Sequence, residues 1–128
     1  MRNNLPVTRN ESPYPSGKIL VSKTDLKGQI TYANDAFVAL SGFEREELIG
    51  QPHNLVRHPD MPPVIFAGMW ATLKTGQPWR GLVKNRCKHG DFYWVDALVV
   101  PIRKNGQPIG FMSVRSQPVR SEVEAAEV

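Results

Sequence analysis

Two histidines, an arginine and an aspartate fall within the eight residues His53-Asn54-Leu55-Val56-Arg57-His58-Pro59-Asp60. A guanidinium at Arg57 can grip a phosphate bidentately or stack on an aromatic plane. His53 and His58 can hydrogen-bond or ligate metal. A histidine pair spaced i, i+5 with no third soft ligand, however, is not a zinc pattern. Asp60 is placed to cap a helix opening at Pro62-Pro63 and to hold Arg57. The same residues also read as an ordinary polar loop, and their types alone leave both readings open.

A second group lies on a strand. Alternation from Trp79 puts Trp79, Gly81, Val83, Asn85 and Cys87 on one face and Arg80, Leu82, Lys84 and Arg86 on the other. The charged face is expected to meet solvent, so Trp79 and Asn85 point inward. An inward amide needs partners, because a buried unpaired one costs about 1–3 kcal/mol. An aromatic plane and an amide edge on one wall suit a flat ring with polar edges. Packing of Trp79 in the core and a local backbone bond for Asn85 would explain them equally. The sequence has no nucleophile elbow, Gly-rich phosphate loop or metalloprotease His-Glu pair. Cys87 sits in a basic setting that would lower a thiol pKa, but it has no evident base and reads as incidental.

The elements that must position these groups are legible. Lys18–Thr24 and Ile30–Ala33 form a hairpin through Asp25-Leu26-Lys27-Gly28. Asn34 or Asp35 caps a helix running through Leu40, and Glu44–Leu48 forms a second helical turn. Pro62-Pro63 opens the longest helix, which runs to about Thr75 with Phe66, Met69, Trp70 and Leu73 as its apolar stripe. Strands at Trp79–Lys88, Phe92–Arg103 and Ile109–Gln117 follow, turning at Gly90 and Asn105-Gly106. The order predicts an α+β fold: a five-stranded antiparallel sheet with short helices and one longer helix covering one face, and a cavity between them.

The 128 residues are one domain's worth of chain, and 41% apolar with 22% charged residues is an ordinary globular composition. No run is long enough to cross a membrane as a helix. One cysteine excludes a disulfide framework or multi-cysteine metal site. The net charge of +4 comes from Lys and Arg scattered along the chain, which argues against nucleic acid as a partner. Met1-Arg2-Asn3-Asn4 lacks the apolar core of a signal peptide. Residues 1–17, rich in Pro and poor in apolar groups, read as a flexible N-terminal arm, and 18–120 as the domain. Ser121-Glu122-Val123-Glu124 has the form of a capping box, so 121–128 reads as the start of a helix leading to a further segment.

The element order, with Asn34-Asp35-Ala36-Phe37 and Lys88-His89-Gly90-Asp91-Phe92-Tyr93-Trp94-Val95, resembles PAS sensor domains. Gly50–Pro62 and Gly76–Arg86 narrow the resemblance to the FAD-binding PAS domains of bacterial aerotaxis receptors. It covers residues 18–120. It implies a PAS fold, FAD as cofactor, and a redox or oxygen sensor rather than an enzyme. Trp79 would pack on the isoalloxazine ring and Asn85 would bond its polar edge. His53, Arg57, His58 and Asp60 would shape or contact the cofactor site, with Arg57 as its phosphate or ring contact, and Asn34 would order the loop around the ring. Light-sensing relatives carry a reactive cysteine in the loop that here reads Asn54-Leu55-Val56-Arg57-His58. Its absence excludes a thiol adduct. The implied partners are a downstream signalling domain of the same receptor and a second copy of the chain, with no membrane contact in this segment and a cytoplasmic location beside a membrane anchor. A haem-binding sensor on the same fold would have to use His53 or His58 as axial ligand. A cofactor-free interaction module would fill its pocket with side chains, and a small flavoenzyme would need an acid–base pair that cannot be named.

Overall fold

The computed structural model describes residues 7–127. Ten elements follow in order: β1 (Leu20–Asp25), β2 (Ile30–Ala33), α1 (Asp35–Ser41), α2 (Arg45–Leu48), a 3-10 turn (His53–Val56), α3 (Pro63–Lys74), β3 (Trp79–Arg86), β4 (Phe92–Lys104), β5 (Gln107–Ser116) and α4 (Arg120–Ala126). The strands make one antiparallel sheet in the order β2-β1-β5-β4-β3. The predicted α+β architecture is the observed one.

Local chemistry accounts for the joints. Asp25 Oδ1 accepts from the amides of Lys27 and Gln29 at 2.9 Å, closing the β1–β2 turn. Asn105 and Gly106 both take positive φ, 53° and 79°, the geometry a two-residue hairpin between β4 and β5 demands. Asn34 caps α1: its Oδ1 accepts from Phe37 N at 3.1 Å.

Two expected caps are corrected. Pro62 is the N-cap of α3 and no side chain caps it. The Asp60 carboxylate, expected to accept from the first-turn amides, instead accepts from Lys84 Nζ at 3.1 Å. α4 starts at Arg120 with Val119 as N-cap, so Ser121 is already inside the helix. Arg120 is drawn in by Glu11, 2.9 Å away, and Val123 is buried beneath the helix.

Residues 1–6 of the segment read as an arm lie outside the described residues. The remainder hydrogen-bonds to the strand that follows the Gly90 turn: Ser12 N to Phe92 O at 2.7 Å, Phe92 N to Asn10 O at 3.0 Å, and Thr8 Oγ1 to Asp91 at 2.6 Å.

The core gathers Leu20, Ile30, Phe37, Leu48, Val56, Tyr93 and Val95 between the helical face and the sheet. Two segments stitch the helical connection to opposite sheet edges. Ile30 N donates to Gln51 O and Gly50 N to Ile30 O along β2, while Arg57 bridges Asn85 and His58 N donates to Lys84 O along β3. Each free edge is thereby bridged at one place, and residues 50–58 cross the sheet face as a strap.

Candidate functional site

Strap, α3 and sheet enclose a cavity of about 500 Å³, within the range of small-molecule sites. Trp79, Val83 and Asn85 of β3, Ala97 and Val99 of β4, and Phe111, Ser113 and Arg115 of β5 form its floor. α3 turns Phe66, Met69 and Trp70 toward it, and the strap supplies His53, Asn54 and Arg57. The apolar stripe of α3 thus divides: Leu73 is buried, while Phe66, Met69 and Trp70 face the cavity.

Trp79 has a specific seat. A Cβ at Gly81 would stand 2.7 Å from the indole, so the ring lies back along its own strand over the glycine. Asn85 is 4% exposed, as its inward position predicts. Arg57 stacks its guanidinium 3.6 Å above the Phe66 ring, and burial holds its pKa below the usual arginine value.

The floor holds a group that the sequence reading missed. Arg115 is 2% exposed. Its Nη1 donates to Ser113 Oγ at 3.1 Å and its Nη2 to Ser22 Oγ at 2.9 Å. Nη1 also lies 3.1 Å from His53 Nε2, and the guanidinium sits 4.4 Å over Phe37. These neighbours are neutral, and among the described residues no carboxylate pairs with Arg115. Burial lowers its pKa to about 10, which leaves it a cation. Strand parity carried the signal: Phe111, Ser113 and Arg115 share one face of β5, and an arginine on the inward face of a central strand is costly unless used. Only the register of β5 against β1, Ser22 with Ser113, brings the set together.

His53 stacks on Phe37, with ring centroids 5.9 Å apart and planes at 4°. Burial, reinforced by the Arg115 charge, pushes its pKa down to about 3, so it is neutral.

The remaining expected site residues lie elsewhere. Asn34 is spent on backbone: Oδ1 accepts from Val21 N and Phe37 N, and Nδ2 donates to Ile19 O. His58 is 3% exposed but turns away from the cavity, edge-on to Phe92 with centroids 6.3 Å apart, and its Nδ1 accepts from Asp60 N. Its pKa is lowered by burial and by Lys84. Asp60 pairs with Lys84 outside the cavity. The extended backbone at Arg57 explains the split, since successive side chains there point to opposite sides of the β3 edge.

The outer face of β3 also differs from expectation. Arg80 meets solvent and pairs with Asp96 at 2.6 Å. Arg86, however, is 5% exposed and donates to the carbonyls of Cys87 and Lys88. Cys87 is buried with its thiol donating to Leu40 O, and burial raises its pKa, opposite to the effect expected of its basic neighbours. No cluster of metal-ligating side chains occurs among the described residues.

Comparison with known proteins places the chain. A family model described as the PAS fold matches residues 30–115. The aerotaxis receptor of Escherichia coli (strain K12) is 52% identical over 127 residues, which is 99% of this chain and 25% of that receptor. The nitrogen fixation regulatory protein of Klebsiella pneumoniae is 37% identical over 84 residues, 66% of this chain and 17% of that protein. The chain therefore spans a quarter or less of these relatives. Among solved structures, the PAS domain of a Colwellia psychrerythraea protein superposes with a TM-score of 0.71 at 26% identity, covering 80% of this chain and 87% of that one. The light-oxygen-voltage domain of the photoreceptor Aureochrome1 gives 0.74 at 18%, covering 83% and 80%, which is a likeness of fold. Sheet order, covered face and family match agree: the chain is a sensor domain of the PAS family, homologous to that of the aerotaxis receptor.

Proposed function

We propose that this domain binds FAD in the cavity and reports flavin redox state to a downstream signalling domain of a bacterial aerotaxis or chemotaxis receptor. The carrying observation is the cavity's composition. Aromatic planes at Trp79, Phe66 and Trp70 line the same space as the hydrogen-bonding groups Asn85, Ser113 and Arg115. A flat, three-ring heterocycle with polar atoms along one edge fits such a lining.

When bound, a flavin supplies reversible electron uptake, with the added charge or proton borne by its central ring and pyrimidine edge. The chain's own residues set the response. Trp79 and the α3 aromatics exclude water and hold the ring plane. Arg115 offers donors only and keeps its charge, favouring a negative ring edge. His53 is neutral and shares its Nε2 with Arg115 and Ser22, so it does not deliver a proton. Asn85 presents either a carbonyl or an amide by rotating its side chain. Its backbone is bridged to Arg57, and the preceding residue, Lys84, holds the strap through His58 N and Asp60. A change at Asn85 is thereby passed to the edge of the sheet. About 1–3 kcal/mol of coupling suffices for such a switch.

A haem fits the lining poorly, because the axial position would fall to His53, whose Nε2 is engaged. The domain acts as a ligand-binding sensor and not as an enzyme. We place it on the cytoplasmic side of a receptor; no helix among the described residues is long and apolar enough to cross a membrane.

The test is to purify the chain in the dark, denature it, and identify the released chromophore by chromatography and mass. Near-stoichiometric FAD is expected. Haem, or a colourless protein, contradicts the proposal.

A further inference from the structure

Four cations, Lys27, Arg57, Lys74 and Arg115, line the cavity, and no aspartate or glutamate does. They sit at two depths. Arg115 is buried at the floor, without a carboxylate partner. Lys27, in the β1–β2 turn, and Lys74, in the last turn of α3, are exposed and so stand at the open rim. Neither lysine forms an ion pair among the described residues. The nearby acid, Asp25, has its Oδ1 committed to the amides of the turn.

Like charges gathered around one opening repel one another, and a buried guanidinium among neutral groups carries a desolvation cost. Both penalties are relieved by a ligand with negative or electron-rich groups at two places: an acceptor edge at the floor and an anion at the mouth. A cavity of about 500 Å³ has room for a ring system, but a nucleotide tail must leave past the rim.

We propose that Lys27 and Lys74 form a phosphate-binding rim, which makes the site selective for flavin nucleotides over the phosphate-free flavin. This rests on the flavin reading above and adds to it the source of discrimination. The lysines act as point charges, so their contribution is screened by salt.

The experiment uses the flavin-loaded chain as purified, with wild type compared to Lys27→Gln/Lys74→Gln. Release of flavin is followed by recovery of its fluorescence on dilution, from low to high salt, and exchange is measured against FAD and against riboflavin. Each lysine is expected to be worth roughly threefold in release rate, about tenfold together. The wild-type rate should rise with salt, and the variant should lose most of that dependence. Wild type should retain its nucleotide against riboflavin, and the variant should lose much of that preference. Equal release rates with the same salt slope, or riboflavin displacing the nucleotide equally well from both proteins, would overturn the rim assignment while leaving the flavin reading intact. A wild-type chain that carries no flavin would instead remove the flavin reading, and the rim with it.

Discussion

Arg115 Nη1 lies 3.1 Å from His53 Nε2, and this contact fixes the tautomer of the histidine. A guanidinium has only donors, so Nε2 must accept and the ring proton must sit on Nδ1. Ser22 Oγ, 2.8 Å from the same nitrogen and 2.9 Å from Arg115 Nη2, completes a triangle in which the arginine dictates the direction of each bond it makes. The cavity floor is thus a set of preset donors with a neutral imidazole beside them.

This arrangement makes the fold sensitive to acid. His53 has a pKa of about 3 in the folded chain against 6.5 when unperturbed. Between those values the unfolded chain binds a proton that the folded chain refuses. The contribution is therefore fully present above about pH 6.5 and is lost as pH falls toward 3, by up to about 1.4 kcal/mol per pH unit. Denaturant titrations at pH 7.5, 6 and 5 should show stability declining, and His53→Gln should decline less steeply. Parallel profiles for the two proteins would contradict the assignment.

Replacing Arg115 should separate binding from folding. Arg115→Met deprives Ser22, Ser113 and His53 of a donor, a cost of about 1–3 kcal/mol, partly offset because a buried charge disappears. In the loaded protein the loss of positive charge at the ring edge should lower the flavin midpoint potential by about 30 mV or more, about 1.4 kcal/mol for a two-electron couple. Arg115→Lys, which keeps the charge without the fork, should fall between. An unchanged potential in Arg115→Met would show that the guanidinium does not face the ring.

The seat of Trp79 provides an indirect test. Gly81→Ala adds one methyl group where the indole lies, 2.7 Å from the position its Cβ would take. The ring must swing away from the strand, so flavin retention should fall about tenfold, comparable to Trp79→Ala. The circular dichroism spectrum should be unchanged, because Gly81 has ordinary strand geometry. Full flavin occupancy in Gly81→Ala would mean that the indole does not pack against the ligand.

Much of this was readable from residue order. Period-two alternation set Trp79 and Asn85 inward, and Pro62-Pro63 with Gly76 bounded the long helix within a residue or two. Relationships that depend on register and on the path of the strap were not. Arg115 meets Ser22 and His53 only because β5 pairs with β1, two strands separated by most of the chain. His58 and Asp60 are close to Arg57 in sequence, yet an extended backbone sends them to the far side of the β3 edge. Arg86 obeys the alternation rule but is covered. Parity names the face of a residue without saying what lies over that face, and here buried groups lie on both faces of the sheet.

Anaerobic titration with dithionite, followed by visible absorption, tests the central claim most directly. The dark-purified chain should begin with the two-banded spectrum of an oxidised flavin, bleach as electrons are added, and recover on admitting air. A protein with no such bands, or with bands that dithionite leaves unaltered, would contradict the account.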